Sequence, residues 1–350
     1  MTKELRQIPR NPEKFEAIDL LDAFLNKKSL KLSDKSITQS FVQSLSDEIN
    51  QNKTNPIMLH GRRIESMFGY VAASLGKCAA IKQEDKGDLY STDIRMQSPD
   101  YRVILDNGHE FFVEVKNHRP KDPKAPYHIS KSNLEKLLKY SEVFQRDLKI
   151  AIYWSQWNIW TLLLGQDLIT KGSPSIDLLR AVKINEMAIL GDQMIATTPP
   201  LIWRLRPDPN KPILLEQARI DFTIGSVEIY CGDTLVEDSN EQNMAFYFML
   251  FGRWLTNDPQ PQVRDGVLES VDIVAVPETS TPGQPFQFLG DLSGMISRYY
   301  DFLTTSEHGI ERLRPTREPS TLGVFIPDKS RYLKLWRFTI KSKRYFPKSD

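Results

Sequence analysis

The sequence predicts an α/β core with a mixed sheet flanked by helices, preceded by a helical N-terminal segment and followed by an α+β second domain. Three observations carry this reading. Apolar residues recur at helical spacing through residues 13–75. Short apolar strands then gather between residues 78 and 163, with one long helix among them. The segment Gly165–Ser175, with Gly, Ser and Pro breakers, separates them from a fresh run of helices and strands. A chain of 350 residues is long enough for two domains at roughly 100–200 residues each. With 40% apolar and 26% charged residues it has an ordinary globular composition.

In chain order, Phe15, Ile18, Leu21 and Leu25 mark a first helix. Ser33 and Asp34 offer an N-cap before Ile37, Phe41, Leu45 and Ile49, the stripe of a second. A third helix over 59–75 buries Ile64, Met67, Phe68, Val71 and Leu75 and stops at Gly76. Strands are expected at Cys78–Lys82, Tyr101–Leu105 and Glu110–Lys116, a helix at Ser130–Arg146, and strands at Lys149–Trp154 and Asn158–Leu163. A helix between strands that a hairpin cannot link implies a mixed sheet. Beyond the linker come a helix at Ile176–Ile189, strands at Leu201–Leu205, Ile220–Ile224 and Val227–Cys231, and a helix at Asn240–Trp254. A strand at Val271–Val276, a helix at Phe288–Thr304 and two short strands within Thr321–Tyr345 follow. The expected division is a helical segment over 1–56, a core over 57–165 and an accessory domain over 175–350.

Net charge is +1, so affinity for a polyanion has to come from local patches. Cys78 and Cys231 form neither a CxxC pair nor a zinc spacing, and a reducing cytoplasmic compartment is the expected setting. No segment approaches the ~20 apolar residues that span a bilayer. No phosphate-binding GxxxxGK[ST] loop, GxSxG or HExxH occurs.

Chemistry concentrates in Ser98–Lys116. Glu114 and Lys116, two apart on a strand, share one face, and Val113 and Val115 take the other. A three-residue Asp106-Asn107-Gly108 loop, with Gly108 left-handed, sets Asp100 opposite Glu114. A two-residue Asn107-Gly108 loop would set it opposite Val115 instead. Directly opposed residues have Cβ atoms ~5 Å apart, so two carboxylates can share one hard divalent cation. Such an ion makes water nucleophilic and neutralises charge growing on a phosphate, and a nearby lysine adds a cation or orients the water.

These residues resemble the PD-(D/E)xK nuclease superfamily, with its restriction-endonuclease-like fold: Pro99-Asp100 is similar to the PD, and Glu114-Val115-Lys116 to the (D/E)xK. The resemblance spans about residues 57–163. It implies a core of helix, three antiparallel strands, helix and further strand. It implies catalytic roles for Asp100, Glu114 and Lys116, and a further glutamate from the first core helix, for which Glu65 stands in place. Asp100, Glu114 and Glu65 are then the expected ligands of Mg2+, with Mn2+ as a substitute. The implied activity is endonucleolytic, expected on DNA, in a restriction or mobile-element-defence role. The accessory domain would recognise the target or a partner, and a homodimer or a partner subunit fits that picture. The competing reading is a non-catalytic nucleic-acid-binding or protein-interaction module on the same fold. Asp88 and Asp93 are rival acids, and Asp100 after Pro99 also suits a plain turn.

Around this segment, residues 116–139 carry seven Lys or Arg against two acids, and Arg119, Lys121, Lys124 and Lys131 are candidate phosphate contacts. His118 reads as a surface histidine. Trp154, Trp157 and Trp160 read as packing aromatics rather than base-stacking ones. The run Arg331–Lys348 is basic with aromatic residues interleaved, a further candidate nucleic-acid surface.

Overall fold

The computed structural model describes residues 17–34, 36–84, 91, 95–169, 173–216 and 219–342. Helices α1 (Ala17–Lys28) and α2 (Ile37–Asn52) form a hairpin on which the Phe24 and Phe41 rings meet at 5.5 Å. Ser36, rather than Ser33 or Asp34, precedes α2. Of the expected stripes, Phe15 lies outside the described residues, Leu25 and Ile37 are buried, Leu21 and Phe41 are half-buried, and Ile18, Leu45 and Ile49 are exposed. In α3 (Pro56–Ser74), Asn55 caps by accepting from the Met58 N–H, and Pro56 opens the helix where a missing N–H costs nothing. Gly76, in the left-handed region at φ 79°, ends it.

The strands β1 (Cys78–Gln83), β2 (Tyr101–Leu105) and β3 (Glu110–His118) follow. Next come β4 (Tyr127–His128), α4 (Lys131–Val143), β5 (Asp147–Trp154) and β6 (Ile159–Leu164). One five-stranded sheet has the order β1-β2-β3-β5-β6. Every pairing is antiparallel except β3 with β5, the pair that α4 connects. This is the expected mixed sheet flanked by helices. Alternation along the strands splits its side chains between two cores. Val103, Phe111, Val113, Val115, Ala151 and Leu162 pack with α3, whereas Phe112, Ile150, Ile152 and Trp154 pack with Leu134, Leu137 and Tyr140 of α4.

After β6 the chain makes a single 3-10 turn at Gly165–Leu168. It then returns as β7 (Ser175–Ile176) to pair with β4, and continues into a short α5 (Leu178–Lys183). The second half adds β8 (Met194–Thr197), β9 (Leu201–Pro207), a β10–β11 hairpin (Leu214–Glu216, Arg219–Asp221), β12 (Ile224–Cys231) and β13 (Thr234–Leu235). Then come α6 (Ser239–Phe251), β14 (Leu255–Thr256), β15 (Gln260–Arg264), β16 (Val267–Val276), β17 (Gln287–Asp291) and α7 (Leu292–Thr304). A small β18–β19 hairpin (Thr305–Ser306, Gly309–Ile310) and β20 (Leu335–Phe338) close the described chain. A six-stranded sheet, β13-β12-β9-β16-β14 with β15 also on β16, and a three-stranded sheet, β17-β8-β20, pack around α6.

The two halves share a core. Ile296 and Tyr300 of α7, with Met187, Leu190 and Leu322, join Phe68, Val71, Trp160 and Leu162 in one buried cluster. Trp160 Nε1 donates to Ser297 Oγ at 2.9 Å, and Asn158 Nδ2 to the Gly294 carbonyl at 2.8 Å. Buried Arg63 of α3 pairs with Asp301 and donates to Thr304 Oγ1. No helix among the described residues is long and apolar enough to cross a membrane.

Candidate functional site

The hairpin between β2 and β3 sets the geometry. Tyr101 pairs with Val113 and Ile104 with Glu110. The Leu105 N–H donates to the His109 carbonyl, and the Gly108 N–H to that of Leu105. Three residues, Asp106, Asn107 and Gly108, therefore form the loop. Gly108 has φ 82°, a conformation that favours glycine. One step beyond Tyr101 and Val113, this register brings Asp100 opposite Glu114. There Asp100 Oδ2 accepts from the Val115 N–H at 2.8 Å, which fixes the carboxylate against β3.

Glu114 is 3% exposed on the α4 side of the sheet, beside Ile150 of β5. Its Oε1 accepts from Lys116 Nζ at 2.5 Å. Its Oε2 is buried without a hydrogen-bond partner. A buried carboxylate is costly unless paired, so half of this group is satisfied by Lys116 and half waits for another donor or cation. Lys116 stands beside Ile152 and is about one third exposed. Burial opposes its charge, but Glu114, with its charge and hydrogen bond, and Asp100 more than offset that, and the lysine pKa is raised. Lys116 is therefore an ammonium at neutral pH.

Two ring side chains, Tyr127 and His118, stand beside these groups. Tyr127 comes from β4, in the basic loop. Burial raises its phenol pKa, with Lys116 lowering and Glu114 raising it. His118, next on the same face of β3, is half-buried and not the free surface histidine expected. Its ring lies 5.7 Å from that of Tyr127 and 5.3 Å from that of Trp154. Burial lowers its pKa. Tyr127 escapes a sequence reading because only the β4–β7 pairing brings the loop back over the sheet.

Glu65 occupies a different setting. It lies on α3, which packs on the opposite face of the sheet from Glu114. Its carboxylate meets Arg62 at 3.3 Å, and its carbonyl accepts from the Tyr101 hydroxyl, the residue after Asp100. Asp88 and Asp93 lie outside the described residues. Among the described residues, no three His, Cys, Asp or Glu side chains cluster in a way that could hold a metal ion. Arg119, Lys121, Lys124 and Lys131 are exposed beyond β3, with Lys131 3.8 Å from Glu135. Trp154 and Trp160 are buried, and their indole N–H groups bond to Thr161 and Ser297, as packing aromatics should.

No protein-family model matches the chain, and no curated protein does. Among solved structures the chain is similar to the Holliday junction resolvase Hjc of the archaeal hyperthermophile Archaeoglobus fulgidus. The identity is 19%, over 29% of this chain and 77% of that one, with a TM-score of 0.23. At that score the likeness carries no argument about this chain's activity.

Proposed function

We propose that the chain is a metal-dependent phosphodiesterase acting on nucleic acid, expected to be DNA, with Asp100, Glu114 and Lys116 as its reacting centre. The observation that carries this is Glu114: a buried carboxylate with one oxygen on Lys116 and the other unpartnered, next to where the hairpin delivers Asp100. Magnesium keeps several waters and is held through one or two carboxylates, so Asp100 and Glu114 suffice as its protein ligands. When bound there, the ion would neutralise charge on a phosphate and acidify a water. Glu114 offers its unpartnered oxygen. Asp100, pinned by the Val115 N–H, is held in one orientation and needs no reorganisation. Lys116 holds its ammonium where it can stabilise charge on the phosphate. Arg119, Lys121, Lys124 and Lys131 would contact the backbone of the polymer without reading its sequence. Glu65, on α3, is an outer carboxylate in this scheme.

Asp100→Ala and Lys116→Ala should each lower magnesium-dependent cleavage by about 100-fold or more. Calorimetry should separate their causes. Asp100→Ala weakens metal binding, whereas Lys116→Ala leaves it intact or stronger, because a cation beside a cation is unfavourable. Glu65→Ala should slow cleavage less than Asp100→Ala. Parent-level cleavage from either of the first two variants would place the chemistry elsewhere.

One observation favours a second reading, a nucleic-acid-binding module without turnover: no third ligand side chain clusters with the two carboxylates among the described residues. Oligonucleotide binding by a parent protein that never cleaves would select it.

A further inference from the structure

The sheet β17-β8-β20 has an inner and an outer face. Ile195, Leu289 and Leu333 pack inward with α6. Outward, four aromatic rings gather over Ala196, the small residue of the middle strand that is paired with both Phe288 and Trp336. Phe286 lies 4.8 Å from Trp336 and 5.6 Å from Phe338, and Phe288 lies 5.2 Å from Phe338. None of the four belongs to any of the three buried cores. Phe288 is 42% exposed and the other three are half-buried. Four clustered rings facing water on an otherwise packed sheet are unusual for a surface with no ligand.

Charge identifies the ligand. Residues 329–342 hold five Lys or Arg and no acid, a net of +5 in a chain whose total is +1. The chain's positive excess is thus concentrated in the segment that supplies Trp336 and Phe338. Exposed Lys334, two residues before Trp336, lies on the side of the rings, whereas Arg337 is paired with Ile195 on the other face and meets exposed Asp328 at 3.0 Å. Flat rings beside a basic stretch match unstacked bases and their phosphates. An apolar protein partner would use the rings but leave the charge unmatched, and a duplex keeps its base faces covered.

We propose that the outer face of β17-β8-β20 is a stacking platform for single-stranded nucleic acid, with Phe288 and Trp336 as its main rings and the basic residues of 329–342 as its electrostatic surround. The proposal deepens the reading of nucleic acid as partner, yet it holds whether or not Glu114 and Lys116 support cleavage.

The test is fluorescence anisotropy of the full chain in chelator with a labelled oligothymidylate of about 20 nucleotides. Chelator removes metal-dependent cleavage from the readout, so a failed platform and a failed nuclease reading remain distinct. The parent should bind the single strand more tightly than a duplex of equal length. Phe288→Ala with Trp336→Ala should weaken binding about ten-fold or more. Phe288→Tyr with Trp336→Phe, which keeps the rings, should bind as the parent does. Phe288→Leu, which keeps apolar cover over Ala196 without a ring, should weaken binding while melting as the parent does. No binding by the parent, preference for duplex, or unaltered affinity in Phe288→Leu and in a folded double-alanine variant would each overturn the proposal. Lost self-association with unchanged oligonucleotide affinity would assign the rings to a protein contact instead.

Discussion

Lys116 holds two jobs that pull in different directions. It supplies a cation to the proposed site, and it is the hydrogen-bond donor to a carboxylate that is 3% exposed. Lys116→Ala should therefore lower stability by about 1–3 kcal/mol, because a buried acceptor loses its donor. Lys116→Ala with Glu114→Gln should recover part of that loss, since the remaining amide carries no charge. Thermal melts of the two variants check this, and a single variant as stable as the parent would mean that Glu114 finds another donor. The juxtaposition of Asp100, Glu114 and Lys116 was legible in the sequence as far as local hairpin geometry reaches. The sequence leaves a two-residue and a three-residue loop open at Asp106-Asn107-Gly108, and the three-residue loop of the structure, with Gly108 left-handed, is the one that brings Asp100 opposite Glu114. Tyr127 and the packing of His118 were not legible, because both depend on the return of the chain through β7, about fifty residues downstream of Tyr127.

Elements were legible where one face is buried and the period is clean. α3, β2 and β5 lie within three residues of where the sequence puts them, since the buried periodicity is continuous. The helix expected over 176–189 shrinks to α5 and a 3-10 turn at Met187–Leu190. Its apolar residues serve two different cores, Leu178 and Ala181 that of α4, Met187 and Leu190 that of α3, and a straight helix does not reach both. β17 hides at the start of an expected helix, because Phe288 and Leu289 read as apolar helix text while Asp291 is the residue before α7. Two buried carboxylates hold such elements in place. Glu186, beside the 3-10 turn, pairs with Lys149 of β5, both under 10% exposed. Lys149→Ala should cost about 3–5 kcal/mol, and Lys149→Met with Glu186→Leu should restore most of it. Denaturant unfolding reads both. Glu241 of α6 accepts from the backbone N–H groups of Arg331, Tyr332 and Leu333 at 2.7, 2.9 and 2.6 Å and so anchors the segment leading into β20. Burial works to raise its pKa, but these backbone bonds more than offset that and the pKa is lowered. Its contribution is thus complete above the unfolded glutamate value of about 4.3 and is lost as pH falls through the lower folded value. Melts across that acid range should show the parent losing more stability than Glu241→Gln. Parallel curves would show that the carboxylate is not linked to folding.

For the whole molecule, the shared core matters more than the segment at 165–175. Trp160, Phe68 and Tyr70 on one side, and Ile296, Tyr300 and Leu322 on the other, bury one another. A fragment ending at residue 169 would expose that face of α3 and β6. It should lack a cooperative melt and be digested faster than the full chain. A cooperatively folded fragment would show instead that the sheet of β1–β6 holds its own core and that the expected boundary is also an energetic one. If α7 braces the sheet that carries Glu114, nucleic acid seated on the second half and the proposed reacting centre belong to one rigid frame. The most direct test of that account is incubation of the purified full chain with supercoiled plasmid and single-stranded DNA in magnesium, manganese or chelator, beside Glu114→Gln. The account predicts strand cleavage by the parent in either metal, none in chelator and none by a folded Glu114→Gln. No cleavage of any nucleic acid by the folded parent, or equal cleavage by Glu114→Gln, would contradict it.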